Sequence, residues 1–185
     1  MSLEHILLGM LDEPASGYDL GGAFGSSAAL FWGAELSQIY PTLKRMLGKG
    51  WLECREEPSE RGPARKVYRT TDTGRDELRA WLGSEPQVGR ERLAFIAQTF
   101  FMGELGDLEA SRSFIRQMRS RWEMELSYME HAERLHLETE GDWSEVDLNH
   151  FHYYAALRLG LHMMRSKLAW CEEIEEQVVR RMEAK

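Results

Sequence analysis

Apolar residues recur at helical intervals along most of the chain. Leu3, Ile6, Leu7, Met10 and Leu11 form one stripe behind Ser2, a residue type that caps helices, and predict a helix over 2–12. The turn DEPAS follows. Ser16 and Asp19 have capping-box spacing and start a second helix through Tyr18, Leu20, Ala23 and Phe24. Beyond the Gly- and Ser-containing stretch GSSAALFWG, Ile39, Leu43 and Met46 fall at i, i+4 and i+7 and predict a third helix. With Ser37 as its N-cap, Pro41 lies in the first turn, where a proline forgoes at most one backbone hydrogen bond. Gly50 suits the left-handed residue after that helix, with Trp51 placed to touch Met46 in a Schellman stop.

The period then changes. Leu52 and Cys54 alternate with charged neighbours in WLECREE, the turn-rich PSERGPA follows, and RKVYRTT completes a predicted β-hairpin. Thr71 caps a fourth helix with Leu78, Trp81 and Leu82 as its buried stripe. Helix, helix, helix, hairpin, helix is the order of a winged helix-turn-helix. After the linker GSEPQVG the chain reads as helix almost throughout: 90–103, 107–139 and 144–183, the last two separated by EGDW. The expected fold is therefore mostly α. An N-terminal winged helix-turn-helix with a two-stranded β wing occupies 1–85, and a long-helix dimerisation and effector domain occupies 86–185.

The last helix is the most periodic. Val146, His150, Tyr153, Leu157, Leu161, Met164, Leu168, Cys171, Glu175, Val178 and Met182 recur at intervals of three and four, with only Glu175 out of character. Such a seam on a helix about 55–60 Å long predicts a second chain against it. The expectation is a homodimer with Leu157, Leu161, Met164, Leu168, Cys171 and Val178 at the interface.

Composition narrows the class. Apolar content of 43%, with six Trp, seven Phe and ten Met, supplies a buried core. No apolar run approaches the roughly 20 residues of a membrane span, and the N-terminus lacks the features of a signal peptide. Cys54 and Cys171 stand far apart and read as free thiols of a reducing cytoplasm. The histidines have the wrong spacing for two metal ligands on one helical face, so no metal and no cofactor are expected. Motifs for nucleotide binding or nucleophilic catalysis are absent from the sequence, which argues against an enzyme.

Net charge is −8, but it is unevenly spread. Residues 37–75 carry nine Lys and Arg against five Asp and Glu, a local +4. Phosphate attraction acts within a Debye length of about 8–10 Å, so a local basic face suffices for DNA. In a helix-turn-helix the third helix enters the major groove. With Ile39, Leu43, Met46 and Leu47 inward, Gln38, Pro41, Thr42 and Arg45 face outward beside Ser37 and Lys44. Gln matches the adenine edge, hydroxyls bond several groups, and Lys44 and Arg45 suit phosphates or guanine. Tyr40 has two uses, a phosphate contact or packing against the wing. Arg61, Arg65, Lys66 and Arg69 place four cations within 61–69 with no acid among them, for backbone or minor-groove contact. Glu56, Glu57 and Glu60 are expected to point away.

Several stretches together resemble the PadR family of bacterial transcriptional regulators. LEHILLGMLDEPASGYDL is similar to its first helix and the S-G-Y-x-L opening of its second. FWGAELSQIYPTLKRMLGKGWLE is similar to its recognition helix, with Met46 in place of the usual Leu. ERGPARKVYRTTDTGRDEL is similar to its wing and the T-x-x-G-x-x-x-L after it. The tail YAALRLGLHMMRSKLAWCEEIEEQV is similar to the helical C-terminal domain of longer members. The resemblance implies a cytoplasmic, nucleoid-associated repressor that binds an inverted-repeat operator on double-stranded DNA. It also implies response to an aromatic ligand, for which Trp122 and Tyr154 are the candidate pocket residues. The alternatives are a dimeric winged-helix interaction module that does not bind DNA, and a protein that sequesters a small molecule.

Overall fold

The computed structural model describes residues 3–24, 36–59, 62–89 and 93–184. The chain divides into two compact units, Met1–Arg90 and Glu91–Lys185.

In the first unit α1 (Leu3–Met10), β1 (Ala15–Ser16), α2 (Gly17–Phe24), α3 (Leu36–Gly48), β2 (Leu52–Ser59), β3 (Gly62–Thr70) and α4 (Asp72–Leu82) follow in order. Ser2, the stretch 25–35 and Arg61 lie outside the described residues. The three local signals hold. Ser16 and Asp19 form a reciprocal capping box: Asp19 N donates to Ser16 Oγ at 3.2 Å, and Ser16 N to Asp19 Oδ2 at 3.0 Å. Gly50 adopts φ +70° while Trp51 N reaches Met46 O and Gly50 N reaches Leu47 O, both at 3.0 Å, the bonds of a Schellman stop. Thr71 Oγ1 accepts from Gly74 N at 3.1 Å and caps α4.

Three expectations change. The helix is already formed at Leu36, so Ser37 is not its cap and Pro41 is interior. The forgone bond is the one to the Ser37 carbonyl, on an exposed face where water can take its place. Leu82 is 66% exposed, and the stripe of α4 ends at Trp81. The turn 12–16 ends in a short strand: Ala15 pairs with Tyr68 and Ser16 with Val67, giving an antiparallel sheet of order β1-β3-β2. Two residues are too few to show alternation. The core gathers Leu7, Leu8, Leu11, Leu20, Ile39, Leu43, Met46, Leu52 and Tyr68 from α1 and the turn after it, from α2 and α3, and from the sheet.

The second unit holds α5 (Ala94–Phe101), a 3-10 turn (Met102–Leu105), α6 (Leu108–Glu140) and α7 (Leu148–Glu183). Asp107 caps α6 through Glu109 N and Ala110 N, and Asp147 caps α7 through Asn149 N and His150 N. Gly141, at φ +92°, ends α6. The two long helices form an antiparallel hairpin, and this overturns the reason given for a second chain at the seam. Leu157, Leu161 and Cys171 are fully buried within the single chain, and Met164 and Val178 nearly so, with Leu168 half-buried. What covers them is α6, whose Ile115, Trp122, Met129 and His136 are buried at seven-residue intervals. Cys171 Sγ, for example, lies 3.9 Å from Ile115 O.

Candidate nucleic-acid interface

Burial of Ile39, Leu43 and Met46 fixes the orientation of α3. Ser37, Gln38, Tyr40, Pro41, Lys44 and Arg45 are exposed, and Leu47 is half-buried. Thr42 is the exception. It is 2% exposed and its hydroxyl donates to Gln38 O at 2.8 Å, because residue 42 adjoins Leu43 and follows Ile39 by nearly one turn. An outward Thr42 is therefore corrected to an inward one that braces the helix.

Arg45 is exposed but not free. Its Nη2 donates to Thr42 Oγ1 at 2.9 Å and its Nε to Glu4 Oε1 at 3.4 Å. Glu4 Oε2 also accepts from Lys49 Nζ at 2.8 Å. Burial alone would push the Glu4 carboxyl up; the Lys49 ammonium and the Arg45 guanidinium outweigh it and hold the group below the usual carboxylate range. Lys44 makes no ion pair among the described residues.

Tyr40 packs against the start of α2. A Cβ on Gly17 would lie 2.5 Å from Tyr40 Cε1, so the small residue in S-G-Y makes room for that ring. The ring remains 47% exposed.

In the wing, Arg65 faces Glu57, Lys66 faces Glu56 and Arg69 faces Glu53 across the β2–β3 ladder. Directly opposed residues share a sheet face, so the expectation that Glu56 and Glu57 point away is corrected. Arg65 Nη2 donates to Glu57 Oε2 at 3.3 Å. Lys66 and Arg69 are exposed and make no ion pair among the described residues. The role of Glu4 leaves no signal in the sequence, since nothing in a linear pattern brings residue 4 to residues 45 and 49.

The second unit contains a cavity of about 510 Å³ between α5, α6 and α7, with Phe95, Ile96, Phe100, Trp122, Lys167 and Trp170 in its wall. Phe95 meets Trp122 edge-on with centroids 5.2 Å apart, and Lys167 Nζ lies 5.5 Å from the Trp122 ring centre. Trp122 thus lines a cavity, but Tyr154 does not share it. Tyr154 stacks on His136 and donates its hydroxyl to Glu133 at 3.1 Å, beside Arg158. Burial pushes that phenol up, and the Glu133 carboxylate adds to the rise. Among the described residues no three His, Cys, Asp or Glu side chains converge as a metal site.

Residues 6–80 match the model of the transcriptional regulator PadR-like family, and residues 91–178 match that of the virulence activator alpha C-terminal region. The negative transcriptional regulator PadR of Bacillus subtilis is 31% identical over 176 residues, 93% of this chain and 94% of that protein. This chain belongs to the PadR-like family. A crystal structure of Bacillus subtilis PadR in complex with operator DNA superposes with a TM-score of 0.79 at 25% identity, covering 95% of this chain and 98% of that one. A second, in complex with p-coumaric acid, gives a TM-score of 0.73 at 25% identity over 95% and 94% of the two chains. PadR-like proteins are transcriptional regulators, not enzymes. Among the described residues of this member no helix is long and apolar enough to cross a membrane.

Proposed function

We propose that this PadR-like regulator is a repressor that binds an inverted-repeat operator as a homodimer, with α3 in the major groove and the wing along the adjacent backbone. The observation that carries this reading is the exposed edge of α3, where Ser37, Gln38, Pro41 and Lys44 stand clear of the core on a helix anchored by Ile39, Leu43 and Met46. The operator complex of the relative supports it. Residues 1–85 are the DNA-binding part and 86–185 the dimerisation and effector part.

The dimer face is on α7, but not at the inner seam. Leu148, His152, Ala156, Leu159, Met163, Ser166 and Trp170 follow at intervals of four and three and include no carboxylate, Lys or Arg. Leu148 and Leu159 are 76% and 62% exposed, with Met163 at 39%. An uncharged stripe on an otherwise acidic unit favours a second copy over solvent. Ser166 and Trp170 bring the same stripe to the cavity wall. That cavity, aromatic-walled with one ammonium, suits a planar aromatic effector, and p-coumaric acid bound to the relative is such a molecule.

An electrophoretic shift with the duplex upstream of the chain's own gene tests the reading. A shift competed by the same duplex but not by a scrambled one is expected. Dimers that shift neither duplex would favour the interaction module.

A further inference from the structure

Among the ion-paired cations of the first unit, Arg45 and Lys49 at α3 and Arg65 on β3 are each held by a carboxylate from another element. Glu4 Oε2 sits 2.8 Å from Lys49 Nζ, and Glu4 Oε1 3.4 Å from Arg45 Nε. Glu57 Oε2 sits 3.3 Å from Arg65 Nη2. The two carboxylates come from α1 and β2, and they serve the two elements a winged helix-turn-helix presents to DNA. Glu4 is the fixed partner of its cluster: its side chain is 13% exposed, while those of Arg45 and Lys49 are 57% and 45% exposed. The carboxylate draws both cations down onto α1. Lys44, Lys66 and Arg69 carry no such partner among the described residues, so the pairing is selective.

We propose that Glu4 and Glu57 set the affinity for DNA: they occupy phosphate-binding cations in the free protein, and association exchanges carboxylate for phosphate. The proposal rests on the DNA-binding reading above. Ion pairs of this exposure are weak enough to exchange. Each carboxylate released takes up a cation from solution, which offsets part of the counterion release that drives a basic surface onto DNA. The protein therefore binds arbitrary duplex more weakly, and with a shallower salt dependence, than its count of groove-side cations implies. Base contacts from Gln38 and its neighbours are untouched by the exchange, so sequence-dependent contacts weigh more in the total.

The test compares full-length Glu4→Gln, Glu57→Gln and Glu13→Gln with the wild type on the upstream duplex and on a scrambled one, by fluorescence anisotropy across a salt series. Glu13 is exposed and pairs with no cation among the described residues, so its variant controls for the loss of one charge. Glu4→Gln and Glu57→Gln are each expected to tighten binding to the scrambled duplex by roughly 3- to 10-fold and to steepen the salt slope by about half a unit to one unit. Glu13→Gln is expected to change binding by less than about 2-fold. Glu57 lies on an exposed hairpin face, so its variant carries the test if Glu4→Gln does not fold. If both variants bind no tighter than Glu13→Gln, or if they weaken binding, the proposal is overturned while the DNA-binding reading stands. A wild type that binds neither duplex overturns both.

Discussion

Arg119 crosses from α6 to α7 and places its Nη1 2.6 Å from Oε2 of Glu175. Arg116 Nε meets the other oxygen of the same carboxylate at 2.6 Å, and Arg112 Nε stands 3.7 Å from it. The one residue out of character in the seam of α7 is thus a register lock, held by three guanidiniums one helical turn apart. The Arg116 hydrogen bond does most to hold the Glu175 carboxyl below the usual carboxylate range, with the charges of Arg119, Arg116 and Arg112 reinforcing it.

Glu175→Gln is accordingly expected to destabilise the protein by about 1–2 kcal/mol at pH 7, read as a lower urea midpoint. Glu176→Gln, whose Arg180 pair is 68% exposed on both sides, should leave the midpoint within about 0.5 kcal/mol. Because the folded-state value of Glu175 is lowered, its contribution is complete above the usual value near 4.5. It is lost as pH falls through the lower folded value, so the two proteins should converge in acid.

At the turn of the hairpin the dependence has the opposite sign. His150 Nδ1 lies 2.8 Å from Asp147 Oδ2, and its Nε2 lies 3.6 Å from Glu140 Oε2, joining the end of α6 to the start of α7. The Asp147 hydrogen bond raises the imidazole above its ordinary 6.5, and Glu140 adds to the rise. Stability from this pair is complete below about 6.5 and is lost as pH climbs through the raised value. Thermal melts of the wild type should fall as pH climbs above about 6.5. His150→Gln should melt at a temperature nearly independent of pH over the same climb.

Gly74→Ala tests the packing of α4 on the hairpin. A Cβ there would overlap the Trp51 carbonyl oxygen, a backbone atom that cannot step aside, and crowd Leu8 Cδ2 at 3.1 Å. The expected loss is about 2 kcal/mol by chemical denaturation. At Gly22, on α2, a Cβ meets nothing within 4 Å. Gly22→Ala should instead gain about 0.5–1 kcal/mol.

Two substitutions on one helix separate folding from assembly. Leu157→Ala empties a site buried against α6 and should cost about 2–5 kcal/mol of stability. Leu159→Glu, two residues away on the uncharged outer stripe, should preserve helical content and convert dimers to monomers in sedimentation. Dimers that survive Leu159→Glu and Met163→Glu together would move the interface elsewhere.

Much of this could be read from the residues, and the divisions have physical causes. Caps and stops are local, so Ser16–Asp19, Gly50 and Thr71 were legible, and with them the winged helix-turn-helix. Periodicity reveals that a face is buried but not what buries it; the seam of α7 thus pointed to a second chain when α6 fills it. Thr42 was misplaced because it sits at the margin of its helix's apolar stripe, where a hydroxyl bonded to the Gln38 carbonyl makes burial inexpensive. Pairings such as Glu4 with Arg45 depend on tertiary approach and leave no trace in spacing. Opposition of Glu57 and Arg65 was within reach once the hairpin register was counted.

On the proposed DNA face, Lys44→Ala and Lys66→Ala should each weaken binding and reduce the salt slope by about one unit if each meets a phosphate. Gln38→Ala should instead relax sequence preference while leaving the slope unchanged. Anisotropy titrations at four salt concentrations distinguish the two behaviours.

Selection of bound duplexes from a random pool by the full-length protein decides whether it reads an inverted repeat. Enrichment of an inverted repeat, with half-sites one helical turn apart or a multiple of it, is the predicted result. A pool that remains random after selection, with the protein folded and dimeric, would contradict it.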